Sequence, residues 1–140
     1  MFPKKVKYRK WHRMRKNPKK KRVATSGITV AFGSHGLKVE RAGEITANQI
    51  EAGRRVLSRF VQKTGKVWLR VFPDKPLSKK PPEVTMGGGK GDPAKYVVDV
   101  KAGRVIFEVD GLPGEKAKEA LRSAGSKLPL KTRIISRNVE

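Results

Sequence analysis

Apolar and polar residues alternate most clearly between positions 67 and 72. Apolar side chains at positions 67, 69 and 71 alternate with Trp68, Arg70 and Phe72. Because successive side chains of a strand point to opposite faces, this pattern predicts a strand with one buried face. Its other face carries an arginine between two aromatic residues.

Two segments have the spacing of three and four residues that is typical of an amphipathic helix. The first helix is predicted over residues 47–63, since Thr46 and Gln49 match a capping box and Gly65 follows as a stop signal. The second helix begins at Pro113 and ends before Pro129. The predicted packing stripes are Ile50, Gly53, Leu57, Phe60 and Val61 in the first helix, and Ala117, Ala120, Leu121, Ala124 and Leu128 in the second.

Shorter patterns, separated by turn residues, predict the remaining strands at 27–33, 37–41, 96–100, 104–109 and 131–137. The first two of these strands are joined by a turn at 34–36, and the third and fourth are predicted to form a hairpin around Gly103. This order of elements predicts an α+β fold in which two helices pack on one mixed, mostly antiparallel sheet.

A proline-rich basic segment and a glycine-rich loop follow the central strand. Proline at positions 73, 76, 81 and 82 fixes φ and removes backbone donors. The segment is therefore predicted to be extended, with Lys75, Lys79 and Lys80 projecting from it. Beyond it, glycine surrounds Lys90 at positions 87, 88, 89 and 91, where backbone amides can come close to a phosphate.

The charge balance indicates what kind of partner such a chain has. The 140 residues include 34 lysines and arginines against 12 acidic residues, a net charge of +22. Such self-repulsion indicates an anionic partner, and nucleic acid is the obvious one. A membrane surface is the competing anion, but the sequence has no apolar run of about 18 residues. The chain has no cysteine, which fits a reducing cytosol, and its opening residues do not resemble a secretory signal.

Residues 1–25 contain many lysines and arginines and no acidic residue. We predict that they form a flexible basic arm preceding a single domain over 26–140. The first carboxylate in the chain is Glu40, and apolar residues in the arm are too sparse to offset the entropy of ordering it. Its aromatic rings can stack on unpaired RNA bases while the cations neutralise phosphates. The alternatives are a solvated tail, or Trp11 packing back onto the domain. The predicted RNA-binding residues of the arm are Lys4, Lys5, Lys7, Tyr8, Arg9, Lys10, Trp11, His12, Arg13, Arg15 and Lys16.

A second basic surface, the helix ridge, is predicted on the first helix. Arg55, Arg59 and Lys63 recur every fourth residue with Arg54 beside them, and only Glu51 brings an opposite charge. Like charges at this spacing repel, and an external anion would reverse that effect. The alternative is a merely solvated face. The remaining predicted RNA-binding residues are Arg70, Lys75, Lys79 and Lys80.

The sequence lacks the motifs that would indicate catalysis. A Walker A loop ending at Lys90 would place its first glycine where Val84 stands, and a dinucleotide fingerprint would need a small residue at Asp92. Two histidines without cysteine offer no metal-ligand set, and no serine lies in a nucleophile elbow. We therefore expect no enzyme, no cofactor and no metal.

The stretches Gly65–Pro76 and Met86–Gly91 resemble the most recognisable parts of the bacterial large-subunit ribosomal protein sixteen family. The chain departs from the family at Thr85, where arginine is usual. The likeness extends in order along nearly the whole chain, through Lys7–Lys10, Val30–Gly33, Gln49–Arg55, Lys101–Val105 and Lys127–Thr132.

This resemblance implies a compact α/β sandwich with a protruding glycine loop, bound to 23S rRNA in the cytoplasmic ribosome near the site that receives aminoacyl-tRNA. Neighbouring large-subunit proteins are the other implied partners. The residues by themselves leave open a free RNA chaperone or a nucleic-acid-modifying enzyme. The loop that the resemblance implies close to tRNA consists of Met86, Gly87, Gly88, Gly89, Lys90 and Gly91.

Overall fold

The computed structural model describes residues 23–24, 26–63, 65–78 and 93–137 of the chain. These residues form two helices and two antiparallel sheets, which confirms the predicted α+β class. The elements in chain order are β1 (His35–Val39), β2 (Gly43–Thr46), α1 (Ala47–Val61), β3 (Lys66–Leu69), β4 (Lys75–Ser78), β5 (Pro93–Val100), β6 (Val105–Asp110), α2 (Gly114–Gly125) and β7 (Thr132–Ser136).

The start of α1 follows the local sequence signals. The Thr46 hydroxyl accepts a hydrogen bond from the Gln49 backbone N–H, and the Gln49 side chain accepts one from the Thr46 N–H, which confirms the capping box. The helix ends at Val61, with Gln62 as its C-cap at a φ of 53°. Gly65 therefore has another role: a Cβ there would lie 2.4 Å from the Asp110 carbonyl oxygen, so glycine permits close approach to β6.

The helix α2 begins after Pro113, which is its N-cap. It packs against α1, and both helices contact the four-stranded sheet. All five predicted stripe positions, from Ala117 to Leu128, are buried, so this stripe is confirmed. The stripe of α1 is confirmed at Ile50, Gly53, Leu57 and Val61, which are buried, while Phe60 is partly buried.

The larger sheet has the strand order β3-β6-β1-β7, with every neighbouring pair antiparallel. Its central strand β6 is buried at each residue from Val105 to Val109, on both faces. One face is covered by the helices, since Phe107 lies in the hydrophobic core with Leu57 and Leu121. The other face contains Glu108, a charged residue with no exposed surface.

The prediction of a single mixed sheet is wrong, and so is the prediction of a β5–β6 hairpin. The second sheet has the order β2-β5-β4, so β5 and β6 lie in different sheets. Between them Gly103 adopts a φ of 98° and its N–H donates to the Val39 carbonyl, which directs the chain from one sheet to the other. Two strands of this sheet, β2 and β4, are absent from the predicted elements. β4 lies in the proline-rich segment, where Pro76 is tolerated because β4 is an edge strand.

The predicted strand at 27–33 is also wrong, and β1 begins at His35, inside the predicted turn. Residues 26–34, which we call the strap, follow an irregular path along β6. Their backbone groups bond to Val105, Val109 and the Glu108 carboxylate instead of forming a strand ladder. The strap thus covers the face of β6 that the helices leave open.

Candidate nucleic-acid interface

The structure describes only part of the predicted RNA-binding set. The predicted residues of the arm, Lys79 and Lys80, and the glycine loop Met86–Gly91 lie outside the described residues. Within the described residues are the helix ridge, Arg70 and Lys75.

The helix ridge lies on the solvent side of α1. Arg55, Arg59 and Lys63 are exposed, whereas Arg54 turns back along the helix to form a bidentate ion pair with Glu51. The hydrogen bond between Arg54 and Glu51 lowers the pKa of Glu51 and raises the pKa of Arg54, and in both groups it outweighs the opposing effect of burial. Arg55 Nε also lies 3.6 Å from Glu51. Four cations and one carboxylate leave the ridge with three net positive charges, displayed mainly toward its C-terminal half.

Glu108 lies on the face of the larger sheet that is turned away from the helices, where it binds the strap. One of its carboxylate oxygens accepts hydrogen bonds from the consecutive backbone N–H groups of Ala31, Phe32 and Gly33, at 2.9, 2.8 and 2.9 Å. Consecutive N–H groups of this kind form an anion-binding concavity, here occupied by the chain's own carboxylate. Burial raises the pKa of Glu108, but the hydrogen bonds from Gly33 and from Arg70 outweigh it, so the pKa lies below its ordinary value. The carboxylate is therefore ionised when the protein is folded at neutral pH.

Arg70 does not project freely, as the alternation with its aromatic neighbours suggested. Its side chain is 18% exposed and forms an ion pair with the second oxygen of Glu108. The same guanidinium donates to the Thr29 carbonyl at 3.3 Å and lies 5.1 Å from the centre of the Phe32 ring. Arg70 thus holds the strap against β6.

The strap presents Phe32 to solvent. Its ring stacks on Trp68 with a centroid distance of 6.2 Å and an interplanar angle of 21°, and Phe32 remains 56% exposed. The sequence indicates Trp68 and Phe72 as the aromatic neighbours of Arg70, and it misses Phe32. The stacked pair joins positions 36 residues apart in sequence, so no local pattern could have predicted it.

Contrary to the prediction from the sequence, Lys75 does not project from the proline-rich segment. Its side chain is 8% exposed, and its Nζ lies 3.0 Å from Glu44 and 3.0 Å from Asp99. Burial lowers the pKa of Lys75, but the hydrogen bonds to Asp99 and Glu44 raise it more. Glu44 and Asp99 stand directly opposite each other on β2 and β5, so Lys75 of β4 neutralises two facing carboxylates. Lys75 therefore holds its own sheet together and is not part of the exposed basic surface.

The described residues offer little for other chemistry. No group of three or more His, Asp or Glu side chains in this part of the chain could hold a metal ion. Neither described helix is long and apolar enough to cross a membrane.

Comparison with known proteins places these features in a family. The family model described as Ribosomal protein L16p/L10e matches residues 3–135. The large ribosomal subunit protein uL16 of Nitrobacter winogradskyi is 55% identical over 140 residues, covering 100% of this chain and 99% of the relative. The proteins of the same name from Rhodopseudomonas palustris (strain BisB18) and Afipia carboxidovorans are 54% and 53% identical, with the same coverage. These matches confirm the resemblance found in the sequence: the chain belongs to the ribosomal protein L16p/L10e family.

Proposed function

We propose that the protein is a structural constituent of the large ribosomal subunit, bound to large-subunit rRNA in the cytoplasmic ribosome beside other ribosomal proteins. The observation that carries this proposal is family membership over nearly the whole chain, with relatives named as large-subunit proteins. A member of such a family is a structural component rather than an enzyme. A net charge of +22 suits permanent contact with a polyphosphate.

The helix ridge is the part of the proposed rRNA contact that the structure describes. Arg55, Arg59 and Lys63 are exposed, and of these three only Arg55 lies near Glu51, which already pairs with Arg54, so most of their charge is available to an external anion. The basic arm over 1–25 is proposed as the second contact, where aromatic rings and cations alternate. Arg70, which the sequence predicts to bind RNA, is proposed to act indirectly on the other face of the molecule, because it fixes the exposed Phe32 ring of the strap.

A finer proposal is that the glycine loop contacts tRNA near the aminoacyl-tRNA site. Support comes from the strands on either side of it: β4 ends at Ser78, β5 begins at Pro93, and these two residues are paired in the antiparallel register. Lys75 anchors β4 to β5 close to that point. The chain therefore leaves and re-enters the sheet at one place, as a presented loop requires.

The test is the affinity of the full chain for large-subunit rRNA transcribed in vitro, measured over a range of salt concentrations. If some six to ten phosphates are neutralised, affinity should fall by about 10³-fold or more between about 50 and 200 mM salt. A protein that ignores this rRNA at about 100 mM salt, or binds it with no salt dependence, would contradict the proposal. Turnover of a nucleic-acid substrate by free protein would instead favour a modifying enzyme.

A further inference from the structure

A basic groove lies where β1 and β7 meet the strap. It has a volume of about 580 Å³. Its walls carry Lys38 of β1, Arg133 of β7, Lys118 of α2 and Arg137 just beyond β7, and none of its lining residues is acidic. Ile135 and Val30 form part of its apolar surface. Cations along a concave, partly apolar surface concentrate positive potential within the groove.

Two of these cations lie directly opposite each other on neighbouring strands. Lys38 and Arg133 are direct partners in the antiparallel β1–β7 register. Like charges placed directly opposite each other on neighbouring strands destabilise a sheet. The sheet β2-β5-β4 contains a corresponding pair of negative charges, since Glu44 lies opposite Asp99. There Lys75 forms ion pairs with both carboxylates.

Within the part of the chain that the structure describes, the groove has no such counter-ion. Among the described residues, no carboxylate forms an ion pair with Lys38, Lys118, Arg133 or Arg137. Arg137 donates one hydrogen bond from its guanidinium to the Ala31 carbonyl at 2.8 Å, which fixes the side chain and leaves further N–H donors. The facing cations are thus arranged for an anion from outside the chain.

We propose that this groove binds consecutive phosphates of the large-subunit rRNA backbone, as a contact separate from the helix ridge and the basic arm. The inference rests on the proposed function and deepens it by assigning a third rRNA contact. It also gives α2 a part in binding through Lys118, which lines the groove.

The experiment compares the double variant Lys38→Gln, Arg133→Gln with the unaltered protein in rRNA binding. Because this variant neutralises two fewer phosphates, its loss of affinity between about 50 and 200 mM salt should be smaller by about 7- to 12-fold. The matched control is Arg41→Gln, Lys116→Gln, which removes the same charges from exposed residues that do not line the groove. Its salt dependence should stay closer to that of the unaltered protein.

The outcomes separate the two proposals. If the groove variant and the control bind with the same salt dependence while the unaltered protein binds steeply, the groove assignment is wrong and the proposed function stands. If the unaltered protein does not bind the rRNA, the proposed function fails and the groove with it. Urea unfolding gives an independent check: the groove variant should be at least as stable as the control, because it loses a repulsion. A markedly less stable groove variant would mean that the cations serve the fold itself.

Discussion

Replacing Glu108 with glutamine should be among the most damaging single changes to the fold. The side chain has no exposed surface, accepts three backbone hydrogen bonds from the strap and pairs with Arg70. An amide oxygen can accept the backbone bonds, but an amide cannot neutralise the guanidinium. Removing one partner of a buried ion pair costs about 3 to 5 kcal/mol. With a urea m-value of about 2 kcal/mol/M, the unfolding midpoint should fall by about 1.5 to 2.5 M.

The pH dependence of stability provides a second readout of the same carboxylate. Because the pKa of Glu108 is lower in the folded protein than its ordinary value of 4.5, ionisation of this group stabilises the fold above that pH. That stabilisation is lost as the pH falls through the folded-state pKa. The unaltered protein should therefore lose urea resistance on acidification below about pH 4.5, and Glu108→Gln should lose less of its remaining resistance.

The matched control is Glu119→Gln, which removes the same charge from an exposed position on α2. Its free energy of unfolding should stay within about 0.5 kcal/mol of that of the unaltered protein. Equal midpoints for the two variants at neutral pH would refute the reasoning, because they would show that the strap does not depend on a buried anion.

Three further changes test other parts of the account. Lys75→Gln removes the buried ammonium that joins Glu44 to Asp99, so thermal or urea unfolding should show a loss of about 2 kcal/mol, and an unchanged midpoint would mean that Lys75 does not stabilise this sheet. Deleting residues 1–22 should weaken rRNA binding and flatten its salt dependence, and an unchanged slope would exclude the arm as a main anchor. Replacing Gly88 and Gly89 with valine should spare rRNA binding and subunit assembly but impair tRNA-dependent translation, and normal translation by such subunits would contradict the loop proposal.

The sequence predicts best what is decided locally. The start of α1 follows from Thr46 and Gln49, two residues that contact each other within one turn, and the stripe of α2 follows from its own spacing. The end of α1 is predicted less well, because Gly65 serves a contact with β6 that the local sequence does not contain.

What depends on distant partners could not be predicted in this way. The segment 27–33 has the composition of a strand, but its last three N–H groups bond to the Glu108 side chain, 75 to 77 positions away. Strand pairing is equally hard to predict from the local sequence. The turn residues around Gly103 are typical of a hairpin, but they do not determine whether β5 and β6 pair with each other or lie in different sheets. The charge of Lys75 resembles a binding signal in the sequence because its two acidic partners, Glu44 and Asp99, lie 31 and 24 positions away.

The most direct test of the central claim is the sedimentation of the native protein from a lysate of its own cells. A structural constituent held by many phosphate contacts should migrate with large ribosomal subunits at moderate salt and be released only as the ionic strength rises. A protein that stays at the top of the gradient at low salt, as a free and folded monomer, would contradict the account.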